Sequence, residues 1–144
     1  MNHDTITLVQ RSFKDVVPIA DMVGETFYAR LFETHPEVRP MFAEDIRPQA
    51  KKLVQMLAMV VNGLHRLPAI QSEVAALARR HREYGVAEAH YPVVGETLIL
   101  TLEHHLGDAF TQQIKDAWIE AFTTLSDVMI DAMHEPPRAA GGHA

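Results

Sequence analysis

The sequence predicts an all-helical, single-domain protein, and three observations carry that expectation. Apolar residues recur at spacings of three and four through almost the whole chain. No segment alternates convincingly at period two, the mark of a half-buried strand. Proline and glycine fall at intervals that leave segments of helical length between them. The 144 residues suffice for one substantial core. We expect the domain to occupy residues 1–135 and residues 136–144 to be a disordered tail, with no internal repeat and no linker.

Taken in order, Ile6, Val9, Phe13, Val16 and Val17 mark a first amphipathic helix that ends near Pro18. A second carries Ile19, Val23, Phe27, Leu31 and Phe32 on one side. His35-Pro36 breaks it, because the residue before a proline is pushed out of the helical region. A short helical turn then runs to Phe42. The next helix begins near Pro48, a residue tolerated in a first turn, and puts Leu53, Met56, Leu57, Val60 and Leu64 on one stripe. Leu67-Pro68 is expected to close it, and Ser72-Glu73 to start a helix with Val74, Leu77, Ala78 and His81 facing in. Gly85 is a natural stop. Tyr91-Pro92 opens a helix with Val94, Leu98 and Leu102 inward, ending at Leu106-Gly107. The last is long, with Ile114, Trp118, Phe122, Leu125, Val128, Met129 and Met133 in period, and Pro136-Pro137 stop it.

Composition removes several function classes. Thirteen Lys and Arg against nineteen Asp and Glu give a formal net charge of −6, which argues against nucleic-acid or anionic-membrane binding. With no cysteine there is no disulfide, no thiolate catalysis and no Cys-based zinc site. The start, Met1-Asn2-His3-Asp4-Thr5, lacks the features of a signal peptide, so a cytoplasmic location is expected. The longest strongly apolar stretch without a charge, Leu53 to Leu64, is too short to span a bilayer.

Histidine is then the strongest metal-ligand type present, and the nine need sorting. His3 and His143 lie near the ends. His35, His65, His90, His104, His105 and His134 sit near helix ends or beside charges, where a solvated imidazole is the default. No HExxH or similar pair occurs. His81 differs: it follows Ala78, Leu77 and Val74 by three, four and seven residues, on the apolar stripe of its own helix. Two readings compete. One is a core histidine satisfied by a backbone carbonyl. The other is an axial ligand to haem iron, which needs a neutral imidazole, an apolar slot and a few polar groups opposite. Leu53, Leu57, Gln49 and Tyr28 supply such a facing surface. Each has its own ordinary alternative: Tyr28 and Phe42 as core aromatics, Gln49 as an exposed residue of a first turn.

The joint pattern resembles the bacterial single-domain haemoglobins and the globin domain of flavohaemoglobins over roughly residues 5–134. Phe27-Tyr28 through Leu31-Phe32, then His35-Pro36-Glu37-Val38-Arg39-Pro40-Met41-Phe42, is similar to that family's second helix and corner. Arg80-His81-Arg82-Glu83-Tyr84-Gly85-Val86, followed by His90-Tyr91-Pro92-Val93-Val94-Gly95, resembles its proximal segment. The resemblance implies a globin fold, a three-over-three helical sandwich around haem b. It implies His81 as proximal iron ligand, Phe42 stacked on the haem, and Tyr28 and Gln49 as distal hydrogen-bond donors. Leu53 would wall the distal pocket with Leu57, Val86 and Val94 would pack on the proximal side, and Tyr91 would sit behind His81. Lys52 is read either as a propionate contact or as a solvated lysine. In relatives with peroxidase-like proximal chemistry a glutamate of the final helix joins the histidine and tyrosine. Met133 stands at that position here, so His81 is expected to donate to a backbone carbonyl or another neutral group.

The activity so implied is reversible binding of oxygen, nitric oxide or carbon monoxide. An enzymatic alternative is nitric oxide dioxygenation, which needs a separate reductase because the sequence carries no flavin or nicotinamide domain after the globin. A third class is a haem-free helical interaction module. The expected assembly is a monomer or a homodimer.

Overall fold

Six α-helices and four 3-10 segments make up most of the described residues, 1–83 and 87–134 of a computed structural model, with no strand among them. Helix α1 (His3–Val16) is capped by Asn2, whose side chain accepts from Thr5 N at 2.8 Å. It buries Val9, Phe13 and Val16, but Val17 is 58% exposed. Pro18 explains the difference: it turns the chain into a 3-10 segment, Val17–Ile19, and carries Val17 off the stripe. Helix α2 (Ala20–Thr34) follows, and His35-Pro36 ends it as expected, with a 3-10 corner over Pro36–Met41.

Helix α3 (Arg47–Asn62) opens with Pro48 in its first turn. Its buried face overlaps the expected one at Val60 and, just past the helix, Leu64, but is shifted elsewhere. Ala50, Val54, Val60 and Val61 are buried, Leu53 and Leu57 are half-buried, and Met56 is 37% exposed. The expectation followed side-chain bulk, whereas α3 approaches α2 through its smallest residue. A Cβ on Gly24 would stand 2.7 Å from Ala50 O and 3.0 Å from Ala50 Cβ, so these two positions set the crossing. The larger Leu53 and Leu57 are left on the flank.

Leu67-Pro68 does not close a helix. Helix α3 ends at Gly63, and α4 (Leu67–Glu83) begins at Leu67. A first turn has N–H groups without intrahelical partners, so proline there costs nothing. Helix α5 (His90–Leu106) stops at Gly107, whose φ of 53° favours glycine. Helix α6 (Gln112–His134) is the long last helix. The expected stops at Gly85 and at Pro136-Pro137, and the tail over 136–144, lie outside the described residues.

The helices form two layers, α1, α3 and α4 over α2, α5 and α6. Across the layers α1 packs on α6, α2 on α3 and α4 on α6. Within them α2 packs on α5, α5 on α6 and α1 on α3. The buried Trp118 donates from Nε1 to Ser12 Oγ at 2.8 Å, joining α6 to α1. Among the described residues α4 rests principally on α6 and has no comparable contact with α3. The core divides accordingly. One apolar cluster joins α1, α2, α3, α5 and the first half of α6. A second joins Val74 and Ala78 of α4 to Tyr91 and to Met129, Ala132 and Met133.

Candidate functional site

The close Gly24–Ala50 crossing fixes the first half of the site. Tyr28 lies one helical turn beyond Gly24, and Gln49 immediately precedes Ala50. The two side chains meet: Gln49 Nε2 donates to Tyr28 Oη at 3.2 Å. Tyr28 is 4% exposed, with its ring edge-on to Phe27 at 4.9 Å and to Phe42 at 5.4 Å, and tilted against Phe32 at 5.9 Å. Burial pushes the phenol above its ordinary pKa, and the bond from Gln49 only partly offsets this. Tyr28 is therefore protonated at neutral pH. Because Gln49 donates to the phenol oxygen, the phenol proton is directed to another acceptor.

Phe42 is half-buried at the corner, and Arg39 holds that corner. The guanidinium lies 4.7 Å over the Phe32 ring and donates to the carbonyls of Phe42, Ala43 and Glu44 at 3.3, 3.0 and 2.8 Å. Those carbonyls belong to a stretch between helices with no ladder to satisfy them. One planar cation with several donors satisfies three of them at once.

The second half is on α4. His81 Nδ1 is 2.7 Å from Leu77 O, four residues earlier. A carbonyl only accepts, so Nδ1 carries the proton, and in the neutral ring Nε2 holds the lone pair. Both readings of His81 share this bond, and it gives the tautomer a metal requires. Tyr91 and Met133 lie together in the α4 cluster. The Tyr91 hydroxyl is buried without a hydrogen-bond partner among the described residues, and burial raises its pKa.

Of the residues singled out by sequence, the structure brings Tyr28, Gln49 and Phe42 into contact. It places Tyr91 of α5 and Met133 of α6 in the cluster built on Val74 and Ala78 of α4, the helix that carries His81. Leu53, Leu57 and Val94 are half-buried against the main cluster, and Lys52 is exposed. Val86 lies outside the described residues. Three contributors were not singled out by sequence: Gly24, Arg39 and His105, whose Nε2 is 2.8 Å from Thr26 Oγ1 on α2 rather than simply solvated. Only Arg39 left a signal, as a cation three residues before an aromatic in a proline-rich corner.

The residues fit a haem. A single imidazole provides one axial ligand and suits a metal whose other ligands arrive with a macrocycle. The half-buried Leu53, Leu57, Phe42 and Val94 provide apolar surface that the protein itself does not fully cover. Tyr28, bonded to Gln49, lies in one apolar cluster and the imidazole on the helix of the other, and among the described residues α3 and α4 make no extensive contact.

A sequence model described as Globin matches residues 25–129. The flavohemoprotein of Halalkalibacterium halodurans is 32% identical over 152 residues, spanning 96% of this chain and 37% of that protein. The flavohemoprotein of Bacillus subtilis is 29% identical over 153 residues, spanning 99% and 37%. The chain thus covers little more than a third of these curated relatives. Among solved structures, a bacterial globin from Campylobacter jejuni superimposes with a TM-score of 0.77 at 27% identity, covering 92% of this chain and 96% of that one. An engineered carbene transferase built on a candidate nitric oxide dioxygenase from Rhodothermus marinus gives 0.83 at 27%, covering 92% and 93%. No helix of the described residues is long and apolar enough to cross a membrane.

Proposed function

The chain belongs to the globin family, and on that premise we propose that it holds haem b through His81 and binds oxygen or another diatomic gas beside Tyr28 and Gln49. The Gln49–Tyr28 hydrogen bond carries this reading, because it leaves a buried, protonated phenol with its proton to give. When bound, haem supplies an iron centre able to take up a diatomic gas. His81 would present Nε2 to it, its ring held by the bond from Nδ1 to Leu77 O. Phe42, Leu53 and Leu57 would pack on the macrocycle from the α2–α3 side and keep water out. Val94, with Val86, would do so from the proximal side, and the exposed Lys52 would either contact a propionate or remain solvated. Tyr28 would donate to the ligand directly, and Gln49 would hold the phenol oxygen and polarise its O–H. A donor here strengthens binding in proportion to the negative charge the ligand carries, which favours oxygen over carbon monoxide.

Absorption spectra of the ferric, ferrous and oxygen-exposed protein test this. A reversible oxygen-dependent change in a histidine-ligated spectrum supports the proposal, and a protein that takes up no haem contradicts it. A second reading, nitric oxide dioxygenation with a separate reductase, is favoured by the Rhodothermus neighbour. Steady-state nitric oxide consumption that depends on an added reductase fraction would establish it.

A further inference from the structure

We propose that the groove between α1 and α3 is a second binding site, for a small organic anion with a flat apolar body. The groove is open to solvent and offers about 510 Å³, room for a small ligand. Its apolar surface comes from Ala58 and Val17, the latter 58% exposed, with Phe13 buried at 4% beneath them. Two lining polar groups are already engaged. Gln10 Nε2 donates to Val61 O at 3.0 Å, and the Thr7 hydroxyl is 3.5 Å from His3 Nε2. Four are not: the side chains of Arg11, Lys14, Asn62 and His65, all exposed, have no hydrogen bond or ion pair to protein among the described residues.

All four can donate, and two carry a permanent positive charge. Arg11 and Lys14 are three residues apart, so they share one face of α1. The acids of that helix, Asp4 and Asp15, do not line the groove. Across the groove, α3 and the turn after it line it with Asn62 and His65 and with no acidic residue. In a protein of formal charge −6, a lining whose permanent charges are Arg11 and Lys14, with no acid among them, favours an anion locally. Charge and donors select an anionic head, and the exposed apolar surface selects an apolar body. A bare inorganic anion would leave that surface wet. A neutral aromatic would leave the cations unused.

The site shares no lining residue with the haem pocket proposed above, so the two readings can fail separately. The test uses the protein as purified, with carbon monoxide added to the ferrous form where haem is bound, titrated with naphthalene-2-sulfonate and followed by amide NMR shifts and calorimetry. Saturable binding is expected, with shifts confined to residues 7–17 and 58–65. Inorganic sulfate and 2-naphthalenemethanol should each bind at least about tenfold more weakly. Arg11→Gln and Lys14→Gln together should weaken binding by about tenfold or more. Both side chains are exposed, so folding should survive, and Val17→Asp is a second variant that removes the apolar surface by charge. Absence of shifts, shifts centred elsewhere, equal binding of the neutral analogue, or indifference to both variants would overturn the proposal.

Discussion

Tyr28→Phe removes one hydroxyl and leaves the ring in its aromatic cage. The hydroxyl makes one hydrogen bond, from Gln49 at 3.2 Å, in a residue 4% exposed. Its net contribution to stability is about 1 kcal/mol, and the orphaned Gln49 amide is half-buried, so water can take over part of that loss. The fold should therefore tolerate the change. The ligand should not: a donor to a partly charged ligand is worth roughly 1–3 kcal/mol, which converts to about 5- to 150-fold faster oxygen release. Gln49→Leu acts at one remove, through the orientation and polarity of the phenol. Its expected effect is smaller, about two- to fivefold, on the order of 0.5–1 kcal/mol. The double variant should resemble Tyr28→Phe alone, since both changes act through one proton. Stopped-flow oxygen dissociation from the haem-loaded ferrous protein measures all three. A larger effect for Gln49→Leu than for Tyr28→Phe, or full additivity, would refute the relay.

Gly24→Ala should lower the unfolding midpoint, because its Cβ would stand 2.7 Å from Ala50 O and the backbones must separate; overpacking of this kind costs about 1–3 kcal/mol, read by urea denaturation. Met133→Glu places a carboxyl in the apolar cluster that holds the unpartnered Tyr91 hydroxyl. The iron–histidine Raman stretch should rise and peroxidase turnover quicken if that pair forms, while wild type should show the stretch of an ordinary imidazole; an unpaired carboxylate there would cost several kcal/mol of stability. His105 has its pKa lowered by burial, with smaller contributions from the neighbouring His104 and Arg30. Its unfolded form binds the proton more readily, so its contribution to stability is present above about pH 6.5 and is lost as pH falls. His105→Gln should flatten the decline in thermal stability between pH 7 and 5, and an unchanged slope would contradict this.

Helix existence was legible because the chain keeps one apolar period, and His35-Pro36 and Leu106-Gly107 acted as their chemistry requires. Leu67-Pro68 misled because proline stops a helix in its interior yet suits a first turn, and one sequence does not say which applies. The face of α3 was partly misjudged, for a different reason. Periodicity weighs side-chain bulk, but the tightest approach runs through Gly24 and Ala50, where having little side chain is the point. His81 stood out by its place on an apolar stripe, and Tyr28 and Gln49 as a facing surface whose roles the resemblance of motifs implied. The pairing of Tyr28 with Gln49 was not legible, since a bond across twenty-one residues depends on a crossing that periodicity does not specify. The Arg39 clamp was equally hidden, because its partners are backbone carbonyls and carry no sequence identity.

The central claim is that His81 alone ties the haem iron to this chain. The absorption spectrum of His81→Gly, mixed with haem before and after adding free imidazole, tests it most directly. The account predicts weak or absent haem uptake without imidazole and restoration of a histidine-like ferrous spectrum with it, while His65→Ala and His105→Ala match wild type. A His81→Gly protein that shows the wild-type spectrum with no imidazole added would contradict it.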